Sequence, residues 1–478
     1  MNKGTLLIIA KQFCLGVFKS KTIYLLILTL LVLLVIAARS GVDYYDQNHY
    51  RIDHQQMARE SWENNPDKHP HRMAHFGTFA FRLKHPLSIF DFGVESFTGN
   101  AVFLEAHKQN VVNFSEASFS TGLLRFGELS MAMVLQTLLP LVIFFIGYSA
   151  IVADRENGTL KILLTQGAKW EEILFGRALG LASIALVFWL PFLITICLIF
   201  FTEEHVAHDD WVRLGVITIT YTIFCFILSF ITIYISLKSA SSKNALVKLL
   251  GLWLLMVILV PKTSQAIGAY VYATPSKLEF RAAIEQDVLK FGDSHDPNDP
   301  HFSALKDSVL KANHVKTVEE LPFNYGGFVM GQGEKISADI YSKHHKSLLN
   351  QYRRQNQLTQ WFSIINPFLA LKNLSMSLSG TDFESYVHFQ QQAEDYRYQL
   401  AQKMNALQMK YIRSKSTDTE KGTIVSRDQW KAFSDFQYTK LSTTEALSNV
   451  NVSIVSILGW LLLSITLLVY GAKKATAI

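Results

Sequence analysis

Leu135-Gln136-Thr137-Leu138-Leu139-Pro140-Leu141-Val142-Ile143-Phe144-Phe145-Ile146-Gly147-Tyr148-Ser149-Ala150-Ile151-Val152-Ala153-Asp154-Arg155-Glu156-Asn157-Gly158-Thr159-Leu160 is an apolar run that ends abruptly in charge. Extended back to Met131, it holds no Asp, Glu, Lys or Arg before Asp154. At about 1.5 Å per residue a helix over 131–152 is about 33 Å long, enough to cross a hydrocarbon core of about 30 Å. Five further blocks have this character, at residues 22–38, 178–201, 212–236, 249–272 and 451–471. The first is short, and Pro261 and Lys262 predict a break or kink near the outer end of the fifth. Six spans make the fold mainly α: a polytopic membrane protein with two large, mostly helical insertions.

Composition agrees. Of 478 residues, 49% are hydrophobic and 18% charged, and the mean hydropathy is +0.18, values that exclude a disordered or fibrous chain. The net charge of +6 comes from basic residues beside the spans, so it reports orientation and not a nucleic-acid surface. Lys3, Lys11, Lys19 and Lys21 precede the first span. Arg155, Lys161, Lys169 and Arg177 follow the second, Lys238, Lys243 and Lys248 follow the fourth, and Lys473 and Lys474 follow the sixth. Between the third and fourth spans stand only acids, Glu203, Glu204, Asp209 and Asp210, with Arg213 just beyond. Both termini are therefore expected in the cytoplasm. The first apolar run, without a small-residue cleavage site after it, reads as a retained span and not a signal peptide.

The predicted organisation is 1–38 for an N-terminal helix and the first span, 39–130 for a first external segment, 131–272 for spans two to five, 273–450 for a second external segment, and 451–478 for the last span and tail. A cytoplasmic loop lies at 153–177. The first external segment is expected to continue helix one over 43–63, then to become irregular through Gly77 to Gly99. The second is expected to be helical over 277–289, 302–313, 336–358 and 383–412, with loops at 321–333 and 417–423. Cys14, Cys197 and Cys225 all fall on the cytoplasmic or membrane side, so the external segments hold together without disulfides.

In the loop, Gly158 permits a turn, Thr159 is a candidate N-cap, and Leu160, Leu163 and Leu164 line one side of a short helix that Gln166-Gly167 would end. The run Asp154-Arg155-Glu156-Asn157-Gly158-Thr159-Leu160-Lys161-Ile162-Leu163-Leu164 resembles the Glu-Arg-Glu-x-Gly-Thr-Leu-x-x-Leu-Leu signature of ABC-2 type permeases, membrane subunits of ABC exporters. Asp154 replaces the first glutamate, and Gln166-Gly167 stands where a proline usually follows. Residues 6–18, apolar between lysines, resemble the family's interfacial elbow helix. Pro70-His71, Ala74-His75-Phe76-Gly77-Thr78-Phe79, Asp91-Phe92-Gly93-Val94 and Val102-Phe103-Leu104-Glu105-Ala106-His107-Lys108-Gln109-Asn110 resemble a bacterial subgroup with a periplasmic domain of unknown function.

The resemblance implies that Asp154, Arg155, Glu156, Gly158, Thr159, Leu160, Leu163 and Leu164 couple the chain to an ABC ATPase dimer that carries ATP and Mg. It further implies a second permease, identical or related, and placement in the bacterial inner membrane. No Gly-x-x-x-x-Gly-Lys-Ser/Thr run occurs, so the chain is expected to be a transport subunit and not itself an enzyme. Gly331-Gln332-Gly333 reads as a turn. The alternative is an ABC-powered mechanotransmitter or metal-processing complex that acts on a periplasmic partner without moving cargo through its spans.

All fifteen histidines fall in predicted external segments. His69, His71, His75 and His107 are candidate ligands for zinc or copper in the first of them, although hydrogen bonding within an irregular domain is the preferred explanation of the set. Polar residues inside the spans, Gln136 and Thr137 among them, read as helix-joining groups.

Overall fold

Among the described residues of the computed structural model, six helices are long and apolar enough to cross a membrane. The structure describes residues 2–110, 129–203, 206–292, 294, 296, 299–412 and 424–475; the expected loop at 417–423, Glu204 and His205 lie outside them. An N-terminal helix α1 (Lys3–Phe18) precedes the first span, which opens α2 (Lys21–Glu63). The second span is α4 (Met131–Gly147) with the short α5 (Val152–Glu156), separated from α2 by a helix α3 (Pro70–Phe76) and strands β1 (Thr78–Phe81) and β2 (Ala101–Leu104). A seven-residue helix α6 (Thr159–Thr165) leads to the third span α7 (Trp170–Thr202), followed by the fourth, α8 (His208–Lys238). The fifth runs through α9 (Ser242–Trp253), a π-helical stretch Leu254–Leu259 and α10 (Val260–Val271). Helices α11 (Lys277–Phe291), α12 (Pro300–Ala312), α13 (Tyr325–Phe362), α14 (Pro367–Leu378), α15 (Phe383–Tyr411), α16 (Asp428–Lys431) and α17 (Thr443–Ser448) lead to the sixth span, α18 (Asn451–Lys473).

Small residues bring the spans together. A Cβ on Gly147 would meet Leu181 of α7 at 2.4 Å and Thr232 of α8 at 2.6 Å, so spans two, three and four cross where only hydrogen fits. The fifth span does not break at Pro261. The missing N–H and the ring would disrupt an α ladder; the helix instead widens into the π stretch one turn earlier, and the Asn366 side chain donates to the Met256 carbonyl at 2.8 Å.

Helix α2 has 43 residues, about 65 Å at 1.5 Å each, so roughly half of it extends beyond a hydrocarbon core. Its far end packs into a body that both inter-span segments build together. Trp62 donates its indole N–H to the Trp430 carbonyl at 3.0 Å, and Trp430 donates its own to the Asn65 carbonyl at 3.4 Å. Around them Met73, Ala74 and Ala106 share one apolar cluster with Leu400, Ala401, Met404, Ile412 and Val425.

Three expectations for these segments change. Within the stretch expected to be irregular, Thr78–Phe81 is a strand that pairs antiparallel with Ala101–Leu104, Thr78 opposite Leu104 through Phe81 opposite Ala101, which buries Ala80, Val102 and Leu104 against Phe389 and Phe436. The loop expected at 321–333 is helical from Tyr325 onward. Glycines gather there because α15 lies so close: a Cβ on Gly327 would meet the Met409 nitrogen at 2.8 Å and the Asn405 oxygen at 2.9 Å. Gly331-Gln332-Gly333 is thus helix, not turn. Finally, α14 was not anticipated; it returns from the second segment and buries Phe368, Ala370, Leu371, Leu374 and Leu378 among the spans.

Candidate functional site: a stapled loop, a polar junction and a histidine cluster

The charged exit of the second span ties three other spans to it. Asp154 pairs with Arg177 of α7 at 2.5 Å. Arg155 donates to the carbonyls of Ser239 at 3.0 Å and Leu237 at 2.8 Å, satisfying the end of α8 where carbonyls lack helical partners. Glu156 accepts from the backbone N–H of Ser242 at 3.0 Å and from its hydroxyl at 2.6 Å, at the start of α9. Consecutive helical residues point about 100° apart, which is how three adjacent side chains reach three different spans. Nearby, Glu172 of α7 accepts from the Asn2 N–H at 2.6 Å and holds the start of α1.

Gly158 is the N-cap of α6 and takes a left-handed conformation, φ 76°, which costs other residues about 1 kcal/mol or more. Thr159 is the first helical residue, not the cap. The apolar row also differs from expectation. Leu160 is only 1% exposed, and Leu163 and Leu164 pack against the same bundle core, so these leucines seat α6 on its own spans. The face turned away is Lys161, Ile162, Thr165 and Gln166, all exposed, with Ile162 at 56%.

At the opposite ends of the spans a polar junction joins both segments to the bundle. Gln136 of α4 donates to the Tyr221 hydroxyl of α8 at 2.8 Å and to Asp91 at 3.4 Å. Ser375 of α14 donates to the same Asp91 oxygen at 2.5 Å and lies 3.2 Å from the Tyr221 hydroxyl. Burial pushes the Asp91 carboxyl up, against the hydrogen bonds from Ser375 and the Gly93 N–H. Trp189 of α7 stacks on Tyr221 at 5.0 Å. Arg213, 1% exposed in its side chain, donates to the carbonyls of Ser377 and Leu378 at the end of α14 and to that of Leu441. Sequence reasoning gave Gln136 a helix-joining role, but missed Asp91 and Tyr221 as its partners and Ser375 as theirs. The signals available were an amide inside an apolar span and an acid in the Asp91-Phe92-Gly93 turn.

The candidate metal ligands divide. His71 and His75, four apart on α3, face the same way, and His107 comes to them from the turn after β2. Ring centroids are 4.6 Å apart for His71 and His75, 5.4 Å for His71 and His107, and 5.3 Å for His75 and His107. A nitrogen from each lies within 4.8 Å of the others. His69 takes no part: its Nδ1 accepts from the His71 N–H at 3.2 Å and caps α3.

His107 occupies left-handed backbone, φ 62°, uncommon without glycine. Two bonds hold it there, from the Ala106 N–H to the Ala74 carbonyl at 3.1 Å and from its own N–H to Glu334 at 2.9 Å. Its Nδ1 also lies 3.0 Å from the Glu334 carboxylate, which is fully buried. Burial would raise the Glu334 carboxyl, but the bonds from His107 and the Arg397 guanidinium, 2.6 Å away, bring it down to about 2. Arg397 in turn pairs with Glu394 at 2.8 Å.

Residues 277–439 match the model of a domain of unknown function, DUF3526, and no curated protein matches the chain. The match falls on the second inter-span segment, on the helices that supply Glu334, Ser375 and Arg397, and not on the first, whose motifs carried the subgroup resemblance. The chain is a multi-pass membrane protein that carries a DUF3526 domain.

Proposed function

We propose that the chain is the membrane-spanning permease subunit of an ATP-driven exporter of the ABC-2 type, set in a bacterial inner membrane with both termini in the cytoplasm. ATP hydrolysis takes place on a separate ATPase dimer, and a second permease, identical or related, completes the pathway. The observation that carries this reading is the loop after the second span. A push on α6 reaches α7, α8 and α9 at once through Asp154, Arg155 and Glu156, as a coupling element requires. The surface offered to the ATPase is Lys161, Ile162, Thr165 and Gln166, while Leu160, Leu163 and Leu164 transmit its movement inward.

The test is co-purification. A C-terminally tagged chain, extracted gently from native membranes, brings down an ABC ATPase; the double variant Lys161→Glu, Ile162→Asp loses it while eluting as one unaggregated species. An ATPase retained by that variant, or none recovered with the parent chain, overturns the proposal. A second reading, transmission of force to an external partner with nothing crossing the spans, is favoured by one feature: α2 continues without interruption from the membrane into the external body. Energy-dependent cargo uptake into inverted vesicles separates the two, since a pure transmitter gives none.

A further inference from the structure

We infer that His71, His75 and His107 form a binding site for a borderline divalent transition-metal ion of the zinc and copper class, and that Glu334 orients His107 within it. The site is independent of the coupling role of α6.

The chemistry of the ligands selects the class. Three imidazoles suit zinc, copper or nickel and not magnesium or calcium, which take oxygen ligands. At zinc–nitrogen distances of about 2.1 Å, nitrogens in a tetrahedron stand about 3.4 Å apart, and the three rings here already bring theirs within 4.8 Å of one another. His75 is exposed while His71 and His107 are half-buried, which leaves the cluster open to ions from solution. Three protein ligands leave a fourth position for water or another donor.

The second argument lies behind the ligands. Metal-bound histidines usually give their other ring nitrogen to a carboxylate, which fixes the tautomer and the ring orientation. Glu334 stands in that position beside His107 Nδ1, and Arg397, 2.6 Å from the carboxylate, fixes it there. A buried carboxylate behind a ring held in left-handed backbone is more than a surface histidine needs, and such strain gathers at functional positions. The arrangement also spans the chain. His71, His75 and His107 belong to the first segment, while Glu334 and Arg397 belong to the DUF3526 match. An ion on the rings therefore strengthens the contact between segments.

The test uses the full-length protein in detergent, purified with a tag free of histidine, stripped by chelator and reloaded with zinc or, separately, copper(II). After desalting, the parent chain is expected to retain one equivalent, measured by mass spectrometry of the metal, and to unfold at a higher temperature than the stripped form. His75→Ala, a change at an exposed position, should retain less than a tenth of that and show no thermal shift on loading. Glu334→Gln should keep the stoichiometry with an affinity about 10- to 100-fold weaker. Should burial of Glu334 make that variant misfold, copper(II)-loaded parent protein still reports nitrogen ligands by electron paramagnetic resonance. Absence of stoichiometric metal from the parent chain, or full retention by His75→Ala, overturns the proposal. The zinc and copper arms distinguish the ions, and one equivalent of either, lost with His75, supports the site.

Discussion

A half-buried histidine shows how single residues set the conditions under which the body built by the two inter-span segments holds. His345 stacks on Tyr341 at 5.3 Å and lies 3.1 Å from the Gln390 amide, and burial lowers its pKa to about 4. It stays neutral in the folded chain, whereas in the unfolded chain it takes a proton below about pH 6.5. The unfolded state then binds more protons, so stability falls as pH drops from about 6.5 toward 4, by at most about 3 kcal/mol from this group. Thermal melts of the parent chain across that window should show the decline, and His345→Gln should flatten it; an unchanged slope rules the histidine out as its source. His85, which burial also brings to about 4 despite its bond to Asp210, supplies a remainder. At this scale the sequence was readable for residue type and not for direction. Leu160, Leu163 and Leu164 were legible as an apolar row, but whether a row faces its own spans or a partner depends on the crossing of helices distant in sequence. His69 and His71 look alike on the page. One caps a helix and the other joins a cluster because Pro70 starts α3 between them.

The elements of the bundle were legible, because a run of about 20 apolar residues has few alternatives in water or lipid. Their contacts were less so, and α1 illustrates why. Its seat on α7 is made by Gly176 and Gly180, where a Cβ would lie 2.9 Å from Ile9 Cβ and 2.9 Å from the Ala10 oxygen. The Gly176-Arg177-Ala178-Leu179-Gly180 spacing is a small-residue face, readable in principle but passed over beside the louder loop before it. Cys14 lies at this seam and donates to the Gly180 carbonyl at 3.3 Å. Gly176→Leu should lift α1 at a cost of about 1–3 kcal/mol. With Cys197 and Cys225 changed to serine, maleimide labelling of Cys14 should then be several-fold faster. Equal rates would mean that α1 is held by something else, such as the Asn2 to Glu172 bond. Helix α14 escaped notice for a different reason: with 12 residues it is too short to score as a span, and only its burial between α8 and α18 identifies it as part of the bundle.

For the whole molecule, the sequence suggested two insertions and the structure joins them into one body. Pairings such as Trp62 with Trp430 are invisible to periodicity, since nothing local relates residues 368 positions apart. Trp430 is fully buried and bonded at both its indole and its carbonyl, so Trp430→Ala should cost about 3–5 kcal/mol. The informative readout is limited proteolysis. If the segments are one cooperative unit, cleavage in 39–110 and in 325–412 should accelerate together in that variant, whereas protection of the first segment alone would show two independent folds.

The tryptophan pair also sets a schedule for the protein's biogenesis. A ribosome adding about 5–20 residues per second needs ~20 to ~70 s to go from Trp62 to Trp430. For that interval the first segment is complete while Met73, Ala74 and Ala106 still lack the residues that cover them. Every newly made copy therefore passes through a stage in which half of a core waits, exposed to proteases and to neighbouring chains, for its other half to be translated.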